Sequence, residues 1–185
     1  MWLRALIHRC STRIYGPGLK MPPVRWIGDS RIGIGGVPDA TTLPGLPDAG
    51  VTHVVNCRSP LQTWLSQDLA MERTTFDPDH VLHAPMRDTG RAQPPRRWAA
   101  AVLATVRILD DDPDARVLVH CQHGRHRSVM VAQAVLRLRG HSTMDSLTLI
   151  RRYHPDADPL PAYTASVERW LAGRSPSPRD NPRHR

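Results

Sequence analysis

The side chains best suited to chemistry stand together in nine residues, His120-Cys121-Gln122-His123-Gly124-Arg125-His126-Arg127-Ser128, set between a short apolar run and a long one. Cys121 is a nucleophile once its thiol ionises. Arg127 carries a planar fork of donors that matches two oxygens of a phosphate. Upstream, Arg116-Val117-Leu118-Val119-His120 follows an acidic, proline-containing turn at residues 110–114, and its unbroken apolar run predicts a strand buried on both faces. Downstream, residues 128–139 are mostly apolar and stop at Gly140, the pattern of a buried helix with a glycine cap. Strand, tight loop and helix together aim the loop's backbone N–H groups and the positive end of the helix dipole at one spot, an anion site by geometry. A cysteine opening such a loop is expected to titrate below the free value of about 8.5. The segment therefore predicts a thiolate facing a bound phosphate.

Two blander readings compete. His120, Cys121, His123 and His126 are metal-ligand types, but structural zinc sites space their ligands by two to four residues and draw on two separate pairs, which adjacent His120 and Cys121 fit poorly. An inert turn with a core cysteine is the other, and it has no use for Arg125 and Arg127 with Gly124 between them.

The pattern His-Cys, five residues, Arg-Ser, with Gly124 in the place of the motif's glycine, resembles the signature loop of the cysteine-dependent protein tyrosine phosphatase superfamily. The chain is short and lacks the extra tyrosine-recognition segment of tyrosine-only members, so it resembles most the dual-specificity branch. The resemblance spans roughly residues 24–172. It implies that Cys121 attacks phosphorus to give a phosphocysteine, that Arg127 holds the equatorial oxygens, and that Ser128 assists departure of the thiolate. Gln122, His123, Gly124, Arg125 and His126 would line the phosphate, chiefly with backbone amides. The family takes the proton for its leaving group from an aspartate on the loop after the strand that precedes the long helix. Asp88 stands in that place, whereas Asp77 and Asp79 come before the strand and fit worse. A loop aspartate capping a turn is the ordinary alternative. Some phosphatases with a cysteine at the matching strand end protect the nucleophile by a reversible disulfide, which makes Cys57 a candidate redox partner of Cys121. A small buried hydrophobe is the commoner fate of a strand cysteine.

The elements that must position these residues follow from pattern. Val24-Arg25-Trp26-Ile27-Gly28 and Arg31-Ile32-Gly33-Ile34-Gly35 predict two short strands about a turn at Asp29-Ser30, followed by a helical stretch ending near Gly50. The run Val51-Thr52-His53-Val54-Val55-Asn56-Cys57 predicts a buried strand, residues 61–72 a helix and residues 80–85 a further strand. Pro94-Pro95 predicts the start of a helix reaching about Asp110. Helices over residues 143–153 and from about residue 159 complete the chain, the last with Tyr163, Val167, Trp170 and Leu171 at core spacing. The expected fold is α/β, a single domain with a mixed central sheet of four to five strands flanked by helices.

At 185 residues the chain is one domain's worth. Its formal charge of +8 is unevenly placed. Residues 1–31 hold six basic side chains against Asp29 and residues 172–185 four against Asp180, giving +5 and +3, while residues 32–171 hold 15 of each sign and sum to zero. A neutral body argues against a nucleic-acid face. Three cysteines make no disulfide framework, and a reducing cytoplasm is expected. Residues 1–23 read as a basic extension and residues 173–185 as a disordered basic tail, with no run long enough to span a membrane.

The resemblance implies a phosphomonoesterase needing no metal and no cofactor, foremost on phosphotyrosine and phosphoserine or phosphothreonine proteins, and monomeric. The alternative is a phosphoinositide or other polyphosphorylated small molecule, since His123, Arg125 and His126 are more basic than the small residues common at those positions. An RNA 5'-triphosphatase fits less well with the neutral body. A phosphate-binding pseudoenzyme fits less well with intact Cys121, Arg127 and Asp88.

Overall fold

Strand β5 (Val117–His120) lies at the centre of a five-stranded sheet in a computed structural model that describes residues 24–174. The order is β1 (Arg25–Trp26), β2 (Ile32–Gly35), β5, β3 (His53–Asn56), β4 (Val81–His83). Only β1 runs antiparallel to its neighbour, so the sheet is mixed. All four residues of β5 are buried, as expected of a parallel strand covered on both faces.

Alternation along β5 divides the core. Val117 and Val119 join Ile32, Ile34 and Val55 on one face, beneath α3 (Ala99–Asp111), α4 (Arg127–Leu138), α5 (Thr143–Tyr153) and α6 (Pro161–Ala172). Leu118 and Val54 turn to the other face, where Phe76 of α2 (Asp68–Phe76) and the turn residues Leu43 and Leu46 cover them. Helix α4 is the most enclosed, with every residue from Arg127 to Leu136 buried, and Gly140 ends its turn at φ +97.

Two expected elements differ. The helical stretch before Gly50 is only a single 3₁₀ turn, Leu43–Gly45, followed by further turns, because prolines at 44 and 47 interrupt the backbone ladder. The helix expected over 61–72 is two helices, α1 (Pro60–Ser66) and α2, broken at Gln67 with φ 56. Ser66 and Asp68 at the break bond to each other at 2.6 Å, and Asp68 is thereby turned inward to Arg58. Of the expected extensions, residues 1–23 and 175–185 lie outside the described residues, whereas Gly173 and Arg174, expected in the disordered tail, are ordered on α6: the Gly173 N–H donates to Arg169 O and Arg174 stands over the Trp170 ring.

Candidate active site

The nine-residue loop leaves the C-terminal end of β5 and enters α4, so the strand ends and the helix N-terminus converge on it. Gly124 has φ +74, and a Cβ there would stand 2.7 Å from the carbonyl carbon of Gly35. Neither the turn nor this approach to β2 tolerates a side chain. Outside the loop, His154 Nε2 donates to Gly124 O at 2.9 Å and Asp158 N–H to Arg125 O at 3.0 Å.

Cys121 is 1% exposed. Burial alone would push its thiol up, but the Ser128 hydroxyl at 3.4 Å, the Ser128 N–H, the Arg127 charge and the His123 N–H outweigh it and bring the pKa down to about 7. Arg127, also 1% exposed, is held from two sides: its Nη1 donates to Gln62 Oε1 at 2.8 Å and Met86 O at 3.2 Å, and its Nε has Asp88 Oδ2 at 3.5 Å. Gln62 sits in the first turn of α1, where it also closes a capping box with Ser59.

Asp88 lies on the loop after β4, partly exposed, and reaches the signature loop. Its carboxylate receives the Tyr163 hydroxyl at 3.1 Å and lies 3.2 Å from His126 Nδ1. Burial and the neighbouring carboxylate both push the Tyr163 phenol up, which keeps it a donor. Gln93 braces the same loop by donating to Arg87 O and Arg91 O, and its backbone N–H ties it to α6 by donating to Ser166 Oγ at 3.0 Å. The other His126 nitrogen meets Asp158 Oδ2 at 3.1 Å.

Cys57 follows the paired residues Asn56 and His120, and its N–H donates to His120 O at 2.8 Å. Burial first, then the nearby Cys121, push its thiol well above the ordinary range. Both cysteines are free and buried. The side chains of Arg125 and Asp158 are about half exposed, and the pair is loose at 3.9 Å.

The loop thus gathers Cys121, Arg127, Ser128, Asp88 and Cys57 in one place. Sequence reasoning missed four contributors. Gln62 and Tyr163 read as a helix residue and a core aromatic, and His126 as a phosphate-lining residue that adds positive charge, not as a partner of Asp88 and Asp158. Glu72, fully buried, lies 2.8 Å from His120 Nε2, a close contact off the axis of a hydrogen bond. Its carboxylate also accepts from Asn56 Nδ2, which donates to Asp68 as well. Asp68 is ionised against the cost of burial by Ser66, Asn56 and Arg58. The sequence offered no more than two carboxylates four residues apart, Asp68 and Glu72, on a segment read as an ordinary helix.

Beside Asp88 a cleft of about 900 Å³ opens between α1 (Pro60, Leu61, Trp64) and a wall of Arg87, Thr89 and Arg97. No helix among the described residues is long and apolar enough to cross a membrane.

No family model matches the chain, and no curated protein matches it. Solved structures do. Tk-PTP in its active form is 24% identical with a TM-score of 0.68, the match covering 84% of this chain and 100% of that one. Human DUSP28 is 22% identical with a TM-score of 0.63, over 82% and 94%. PTPMT1, solved in complex with PI(5)P, is 15% identical with a TM-score of 0.67, over 79% and 92%. Over most of its length, then, the chain has the fold of the cysteine-dependent protein tyrosine phosphatases of dual-specificity kind.

Proposed function

We propose that the chain hydrolyses phosphate monoesters through a phosphocysteine on Cys121. The observation that carries this reading is the placement of Cys121, buried at the foot of the loop 3.4 Å from the Ser128 hydroxyl with Arg127 at the neck of α4, contacts that lower its thiol toward neutrality. The thiolate attacks phosphorus as the P–O bond to the leaving group breaks, and Asp88 gives that oxygen its proton. Arg127 and the amides of residues 122–127 hold the equatorial oxygens in the plane where charge gathers. In the second step Asp88 takes a proton from water, the water oxygen bonds to phosphorus, and the P–S bond breaks with the Ser128 hydroxyl donating to the sulfur. Phosphoproteins and phosphorylated small molecules present the same group to this chemistry, and the surroundings of the loop select between them.

The test is turnover of an aryl phosphate without added metal, with an acid quench to find phosphate on the peptide carrying Cys121. Cys121→Ser is expected to abolish turnover while oxyanion binding persists, because the amides and Arg127 remain. Turnover by that variant above the level of an unrelated protein overturns the reading.

A further inference from the structure

Helix α1 carries the densest group of exposed apolar side chains among the described residues. Leu61, Trp64 and Leu65 are 64%, 68% and 67% exposed, and spacing of i, i+3 and i+4 puts them on one face. Only Met144 and Tyr153 are otherwise large, apolar and exposed there. The helix cannot drift from the site, since Gln62 on its inner side holds Arg127. Solvent exposure of a Trp and two Leu beside a catalytic loop calls for an occupant.

The opposite wall of the cleft is cationic. Arg87 and Arg97 line it, and Arg91 and Arg96 stand exposed on the same segment, where Asp88 is the one acidic residue between positions 84 and 98. None of the four arginines has an ion-pair partner among the described residues. At the other end of the parallel strands, before β5, stand the exposed aspartates 110, 111, 112 and 114. A body that is neutral in sum thus gathers four unpaired arginines beside the site, whereas the aspartates of the other end are answered in part by Arg139, 3.2 Å from Asp110, and by Arg31 at Asp112 O.

We infer that this face docks on an anionic bilayer, with Leu61, Trp64 and Leu65 entering the interface, the arginines meeting lipid phosphates, and the substrate a phosphorylated lipid headgroup. Tryptophan and leucine beside arginine is the composition of a surface lying in a membrane interface, supplied here by two segments, α1 and the stretch after β4. A projecting apolar ridge also suits a bilayer, which conforms to it, better than a protein partner, which must offer a matching groove. The substrate class rests on the phosphatase reading; the docking itself does not.

Full-length protein is mixed with phosphatidylcholine vesicles with and without phosphatidylserine and sedimented, and turnover is followed separately on vesicle-borne phosphatidic acid, on a soluble phosphopeptide and on a small soluble aryl phosphate. Wild type is expected to sediment with the anionic vesicles and to be released by salt. Leu61→Ser/Trp64→Ser/Leu65→Ser is expected to lose at least about tenfold in retention and in phosphatidic acid turnover, a free-energy loss of one tenfold step or more, with aryl phosphate turnover held. Absence of wild-type binding overturns the inference. So does undiminished retention of the triple variant, which would place the contact elsewhere in the chain, or loss confined to phosphopeptide turnover, which would make the ridge a peptide groove. Loss of aryl phosphate turnover in wild type with vesicle binding intact would instead remove the phosphatase reading and the lipid substrate with it.

Discussion

Cys121 and Cys57 hang from the ends of neighbouring strands, yet their thiols are driven in opposite directions. Cys57 meets burial with little to offset it, while Cys121 meets Ser128, Arg127 and the loop amides. The iodoacetamide reaction of Cys121 should therefore rise with pH to a midpoint near 7, the thiolate being present above that value and lost below it. Ser128→Ala removes the largest of the lowering contacts and should move the midpoint toward the free value of about 8.5, as read by alkylation rate and peptide mass. Cys57 should stay unlabelled at neutral pH. Peroxide changes its situation. Oxidation of Cys121 to a sulfenic acid gives sulfur that the Cys57 thiol can attack, forming the S–S bond and releasing water. Adjacent strands stand about 4.8 Å apart, within reach of that bond. Wild type should then recover activity with dithiothreitol more fully than Cys57→Ser, and equal recovery without a 57–121 linked peptide would discard this role.

Asp88 is tied to Tyr163, His126 and Arg127 on two different helices and their cap. Asp88→Asn keeps that shape and removes the proton. kcat should fall by about 10² to 10⁴ on an alkyl phosphate and by less on an activated aryl phosphate. Equal losses on both would place the acid elsewhere.

At the scale of elements, strand, loop and α4 were legible because each announces itself: an unbroken apolar run, a glycine at a positive φ, a buried helix closed by Gly140. Helices α1 and α2 were merged because Gln67 adopts a left-handed conformation without the glycine or asparagine that usually marks one. That break turns Asp68 and Glu72 into the interior, where they lock α2 to β3 and β5 through Asn56, Arg58 and His120. No periodicity foretells a buried carboxylate whose partners lie on other strands. Glu72→Ala takes a buried carboxylate acceptor from Asn56 and the close contact from His120, a loss on the order of 1–3 kcal/mol. At about 2–4 °C per kcal/mol for a chain of this size, Tm should fall by roughly 5 °C by calorimetry. An unchanged Tm would mean that water replaces the carboxylate without cost.

For the whole molecule, the sheet and both core clusters close within the described residues, and α6 completes the core through Tyr163 and Val167. A protein comprising residues 24–174 should fold cooperatively and retain kcat on a soluble aryl phosphate, checked by a single unfolding transition and by rate. Failure to fold would show that a terminal segment packs on the body.

The place of β5 between β2 and β3 also governs how the protein can be born. Until residue 117 has left the ribosome, β2 and β3 have no shared neighbour, and the nascent chain can form only two separate two-stranded ribbons, which are marginal in water. Synthesis at about 5–20 residues per second leaves them so for several seconds. The strand that finally joins them carries the nucleophile at its end. Completion of the sheet and assembly of the site are therefore one event, and a nascent chain stalled before β5 offers a chaperone two open strand edges and no chemistry at all.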